Sequence, residues 1–147
     1  MCPTQPNDVQ GCFLVNTTIL DTWDDHEANA QLFGCHLASI LNQDEQDVVE
    51  SLLDNTLSTR LYIGGFRIDF NPSAQNDSLA FNWTDGSTWC YTNFAPDQPN
   101  NAADGVVVNL GRGAGRWNDI VRTQDNMAIY KCPNREPLGG VCNVTSP

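Results

Sequence analysis

Apolar residues recur along the chain with two periods, and the switches between them lay out the elements. Residues 11–15 predict a first strand. Thr22 then opens a helix: it can cap with Asp25 three residues on, and Trp23, Glu27, Ala30 and Phe33 fall at helical spacing before Gly34 ends the run. A short apolar strand at 36–40 follows. Asn42-Gln43-Asp44-Glu45 starts a second helix in which Val48, Val49, Leu52 and Leu53 recur at i, i+1, i+4 and i+5. Acidic residues take its other face and first turn, and it should stop near Asn55. Residues 60–65 read as a third apolar strand. From 66 to 105 the texture changes to Asn, Asp, Pro, Ser and Gly, with one convincing strand around 79–83. Residues 85–104 show no periodicity, and a loop that long inside a compact domain is usually functional when ordered. Segments 106–110, 116–118 and 127–132 predict closing strands, the first two joined by a Gly-rich turn at 111–115. The order strand, two helices, several strands predicts an α+β fold with antiparallel pairing.

Composition narrows the class. The chain of 147 residues suits one domain, and 40% apolar residues with four Trp and six Phe can pack a core. Eighteen acidic residues against seven basic ones give a formal charge of −11, which repels phosphate backbones and anionic lipid. Nucleic acid and polybasic membrane binding are thereby excluded as functions. No apolar stretch approaches the roughly 18 residues a spanning helix needs. The opening Met1-Cys2-Pro3 shows no charged-then-apolar leader and reads as a start codon before a mature fragment. Cysteines stand at 2, 12, 35, 90, 132 and 142, never as C-x-x-C, which argues against a zinc knuckle or a thioredoxin-type pair. An even count, a single lysine (Lys131) and N-x-[S/T] sequons at Asn16, Asn76, Asn82 and Asn143 fit a secreted glycoprotein braced by disulfides. Six cysteines allow 15 pairings.

Candidate chemistry sits in the long loop. Oxygen-bearing side chains cluster at Asp97, Gln98, Asn100, Asn101 and Asp104, and again at Asn118 and Asp119. Calcium takes six to eight oxygen ligands and tolerates irregular geometry, so the two clusters could supply a site. Pro99 fixes φ between Gln98 and Asn100 and allows a cis bond that would aim them at one point. The same residues equally suit a plain polar surface loop, and the chain has no EF-hand pattern.

Short motifs run in order along nearly the whole chain. They are Cys2-Pro3, Gly11-Cys12-Phe13, Trp23 with Glu27-Ala28, His36-Leu37-Ala38-Ser39-Ile40, Tyr62-Ile63-Gly64-Gly65 and Asn82-Trp83-Thr84-Asp85-Gly86-Ser87. Tyr91-Thr92-Asn93-Phe94, Gln98-Pro99-Asn100, Trp117-Asn118-Asp119 and Ile129-Tyr130-Lys131-Cys132 complete the series. In this order and spacing the chain resembles a C-type lectin-like domain. The resemblance implies a single domain over 1–147: two helices with two small antiparallel sheets, an N-terminal hairpin at 1–12, a long-loop region at 66–122 and a tail at 133–147. It also implies a Ca2+ site whose ligands would be Gln98, Asn100, Asp104, Asn118 and Asp119, with sugar hydroxyls completing the shell. Asp97, Asn101 and Ala102 would be further ligand contacts, and Trp117 structural.

Against the family pattern the triplet is mixed. Similar domains with Glu-Pro-Asn favour mannose-type sugars and those with Gln-Pro-Asp galactose-type sugars, whereas here both flanks are amides that can donate or accept. With one carboxylate fewer than either form, calcium binding should be weaker. No aromatic follows Asn100 closely, which leans towards mannose- or fucose-type ligands. Ala30 falls where the family's helix cysteine is expected, and Val106 and Arg122 where its loop-bracing pair is. The resemblance therefore implies Cys35 with Cys132 as a displaced long bridge, Cys2 with Cys12 in the hairpin, and Cys90 with Cys142 tethering the loop. Without the usual brace, the calcium loop should be more mobile when empty.

No nucleophile-and-base motif occurs, and His26 and His36 read as structural, so an enzyme is not expected. Two function classes remain. One is a secreted, calcium-dependent lectin for cell-surface or microbial glycans, in which a homo-oligomer would add avidity to a weak single site. The other is a lectin-like domain that binds a protein or ice without calcium-dependent sugar recognition.

Overall fold

The computed structural model describes residues 11–53, 60–100, 105–110, 115–133 and 142. In chain order the elements are β1 (Cys12–Asp21), α1 (Trp23–Leu32), β2 (His36–Leu37), α2 (Gln43–Leu52), β3 (Arg60–Arg67), a 3-10 turn (Pro72–Ala74), β4 (Phe81–Trp83), β5 (Gly105–Leu110), β6 (Trp117–Val121) and β7 (Asn126–Cys132). Both helices start where their caps predict. The Thr22 side chain accepts from the Asp25 amide and that of Asn42 from the Glu45 amide, each satisfying a donor that has no partner within the helix. Helix α2 ends at Leu52, short of Asn55, and β2 is shorter than the apolar run from 36 to 40.

The strands form one sheet in the order β1-β7-β3-β5-β6, with β2 added to β7 and β4 to β3. This differs from the expected pair of antiparallel sheets. The closing strand β7 inserts between β1 and β3, antiparallel to the first and parallel to the second, with Leu61 opposite Met127 and Tyr62 opposite Ala128. Insertion joins the two halves into a mixed sheet.

Both faces of that sheet are covered, which explains why its central strands read as unbroken apolar runs. By strand alternation, Leu14, Tyr62, Val106, Val108, Ala128 and Tyr130 pack with Trp23 and Ala30 of α1. The intervening Phe13, Leu61, Ile63, Val107 and Ile129 pack with Val49 of α2 and with Phe81, Trp83, Trp89 and Trp117.

Two disulfides are fully described. Cys35–Cys132 joins residues 97 apart as expected. Cys12 pairs with Cys142, in place of the expected Cys2–Cys12 and Cys90–Cys142 bridges. The Cys142 amide donates to the Phe13 carbonyl of β1, which sets Cys142 beside Cys12. Cys90 is also disulfide-bonded. The hairpin expected at 1–12 lies mostly outside the described residues, as does the tail beyond 133 apart from Cys142.

Candidate functional site

The site begins with Trp117, which carries the long loop. Its ring is fully buried among Trp83, Tyr91 and Phe94, and its indole N–H donates to Gln46 Oε1 on α2 at 3.1 Å. Its backbone grips the loop on both sides: the Trp117 amide donates to Asn93 O and the Ala95 amide to Trp117 O, each at 2.9 Å. The loop thus returns alongside β6, where Gln98 N–H closes a turn onto Ala95 O. Asp97 takes a left-handed φ of 66°, one of the conformations that Asp tolerates better than most residues, and the Gln98–Pro99 bond is cis.

Beyond that turn the backbone of 99 and 100 is held from three directions. Asn76 Nδ2 donates to Pro99 O at 3.0 Å, and Gln75 Nε2 donates to Asn100 O. The Asn100 amide donates to Asp119 Oδ1 at 2.9 Å. Asp119 Oδ2 accepts from Arg67 Nη2 at 3.0 Å, with both side chains 0% exposed. Arg67 reaches this position because it ends β3 on the face that carries Leu61 and Ile63, the same side of the sheet as Trp117 and Asp119. Nη1 donates to Ala74 O at 3.1 Å and to Asp69 O at 3.5 Å, and Nη2 also donates to Gln75 O at 3.2 Å. Nε finds no partner among the described residues, and the guanidinium lies over the Phe81 ring, 4.7 Å from the centroid.

Of the five expected calcium ligands, Gln98, Asn100, Asn118 and Asp119 are brought to one region by these contacts. Asp104, Asn101 and Ala102 lie outside the described residues. The four differ in how far the protein uses them. Asn100 has an exposed side chain, and Asp97 beside the triplet is exposed as well. Gln98 is half-buried, and its Oε1 is enclosed with no hydrogen-bond partner. Asn118 Oδ1 accepts from the Asp119 amide at 2.8 Å. Asp119 is 3% exposed and has each oxygen engaged as above.

The four described candidates, taken without Asp104, do not by themselves fit a calcium ion. The donor set suits calcium by type, and the orphaned Gln98 oxygen would welcome a cation. Asp119 is the only carboxylate among the four described candidates, however, and a permanently charged guanidinium already neutralises it. Among the described residues no three His, Cys, Asp or Glu side chains gather as a metal site would need. Sequence reasoning missed Arg67, Gln75 and Asn76, which hold the loop. The available signals were weak: an arginine closing an apolar strand, and amides in a segment that otherwise reads as turns.

The two histidines play structural parts. His26 is fully buried, with Nε2 donating to Asn126 O at 2.7 Å and Nδ1 left to accept from the Tyr130 hydroxyl at 2.9 Å. Burial pushes its pKa below the usual 6.5. His36 pairs with Glu27 at 2.6 Å.

Known proteins resemble this chain in sequence and in fold. The family model "Lectin C-type domain" matches residues 19–132. The human versican core protein is 33% identical over 105 residues, which are 67% of this chain but 3% of versican. The alpha-N-acetylgalactosamine-specific lectin of Patiria pectinifera is 32% identical over 106 residues, 67% of this chain and 61% of that protein. Among solved structures, a calcium-independent type II antifreeze protein superposes with a TM-score of 0.70 at 26% identity, covering 90% of this chain and 95% of its own.

Proposed function

This chain belongs to the C-type lectin domain family, and we propose that it serves there as an extracellular glycan-binding module whose contact surface is the amide set Gln98, Asn100 and Asn118. One observation carries the reading: the Gln98 oxygen has no donor among the described residues, and the neighbouring Asn100 is exposed. Turning the Gln98 carboxamide outward would give up no hydrogen bond of its oxygen to a described residue, and a sugar hydroxyl could then donate to that oxygen and exchange hydrogen bonds with Asn100. The Patiria relative, named for its sugar specificity, supports the ligand class. The absence of an aromatic just after Asn100 supports a mannose- or fucose-type ligand over one that needs a stacking face. Disulfides support placement outside the cell. Among the described residues no helix is long and apolar enough to cross a membrane.

A calcium-dependent form of this reading would use Gln98, Asn100, Asp104, Asn118 and Asp119 as ligands and would require Arg67 to release Asp119. The deciding experiment is a glycan array probed in calcium and again in chelator, with Asn100→Ala and Gln98→Ala beside the wild type. Each lost hydrogen bond of about 1 kcal/mol should weaken binding roughly 5-fold. Retention of full affinity by both variants would refute the surface. Silence of the array under both conditions would favour the protein- or ice-binding class instead.

A further inference from the structure

We propose that Arg67 is a resident cation that takes the place of a metal at Asp119, so that the loop is organised, and the site works, without calcium. The proposal rests on the glycan-binding reading only for what lands on the loop; its core concerns what holds it.

The guanidinium is not an incidental neighbour. Its Nη2 lies 3.0 Å from Asp119 Oδ2, in a pair from which solvent is excluded on both sides. Its position is fixed from behind by the carbonyls of Ala74 and Gln75 and from one face by the Phe81 ring. An arginine stays protonated at any pH the protein meets, so this positive charge is permanent. The second Asp119 oxygen receives the Asn100 amide. One carboxylate thus joins a cation on one side to the loop backbone on the other, as a metal-ligating aspartate would have to do. A divalent ion placed against Asp119 would meet a fixed positive charge and would compete with the hydrogen bonds its two oxygens already accept. Gln75 and Asn76 hold Asn100 O and Pro99 O from the opposite side, and neither contact needs a metal.

The test reads calcium binding and stability, never sugar. Wild-type protein is titrated calorimetrically with calcium up to about 5 mM, above the roughly 1 mM dissociation constants of weak extracellular sites, and melted in calcium and in chelator. Expected are no saturable binding and the same melting temperature in both. Arg67→Met, which keeps much of the side-chain length and removes the charge, should become calcium-responsive, its folded-to-unfolded ratio rising about 10-fold or more in calcium. Arg67→Lys should remain unresponsive, because it keeps the charge. Saturable binding by the wild type overturns the proposal, as does an Arg67→Met protein that folds and ignores calcium. Should Arg67→Met not fold in either medium, the wild-type titration and Arg67→Lys decide by the same criteria. A failed glycan array would remove the ligand and leave these outcomes untouched, so the two readings fail separately.

Discussion

Replacing Asp119 by Asn tests the buried pair most directly. The introduced carboxamide would keep an oxygen for the Asn100 amide, so that bond need not be lost, and what changes is the charge facing Arg67. The guanidinium would then be left charged at 0% exposure, facing the Asp69, Ala74 and Gln75 carbonyls and an aromatic ring but no carboxylate partner. Breaking a buried pair from one side costs about 3–5 kcal/mol, a large share of the 5–15 kcal/mol that typical domains have. Arg67→Met should cost a similar amount in chelator, for the mirror-image reason that it strands a carboxylate. The double variant removes both charges and leaves the Asp69, Ala74 and Gln75 carbonyls short of a donor, at about 1 kcal/mol each. It should therefore be more stable than either single variant, or nearly so, and far more stable than their sum. Urea unfolding in chelator, with midpoints compared at constant slope, measures the cycle. Additivity of the single effects within about 0.5 kcal/mol, or a loss below about 1 kcal/mol for Asp119→Asn, would refute the argument.

Other consequences concern the frame around the site. His26 has its pKa lowered by burial, so the unfolded chain binds a proton near pH 6.5 that the folded one refuses. Stability should be level above that pH and fall as pH drops through it, by at most about 1.4 kcal/mol per unit, despite the opposing pull of Asp21, Asp25 and Asp125. Urea midpoints between neutral and mildly acidic pH, set against His26→Gln, isolate this term; identical slopes would exclude it. Opening the Cys35–Cys132 bridge by a double alanine substitution releases a 97-residue separation and should cost about 4–5 kcal/mol in the chain-entropy account, read from denaturant midpoints. In a eukaryotic secretory host, glycan should be found on Asn82, exposed on β4, and not on Asn16, which is 6% exposed with its amide nitrogen directed to Tyr130. Peptide mapping after glycan release checks both positions.

The parts legible in the sequence are those that local chemistry decides. Thr22 and Asn42 announce the helix starts because capping is an interaction over three residues. The apolar runs at 60–65, 106–110 and 127–132 announce strands covered on both faces, and the crowded aromatics predict a core around Trp117. Partners across the fold were not legible. Arg67 and Asp119 stand 52 residues apart, and no spacing rule connects the end of one strand to the middle of another. Cys142 meets Cys12 where its amide bonds to Phe13 O of β1, a fact of tertiary packing that 15 formal pairings cannot rank. The direction of β7 beside β3 was hidden for the same reason: its residues would read alike in either orientation.

The mixed triplet takes on a different meaning once the holding bonds are known. Gln75, Asn76 and Asp119 all bind backbone groups of residues 99 and 100. Positioning and presentation are therefore carried by separate atoms. In a metal-held loop the flanking side chains serve both purposes, and exchanging a carboxylate for an amide there weakens the ion and the ligand together. Here the amide at Gln98 takes nothing from the fixation of the loop, because the charge that orders it comes from Arg67 below. The flanks are then free to vary with the ligand alone, so Gln98→Ala, which removes an oxygen that has no partner among the described residues, should weaken sugar binding while leaving melting temperature nearly unchanged. A parallel fall in both would show that Gln98 still helps to hold the loop.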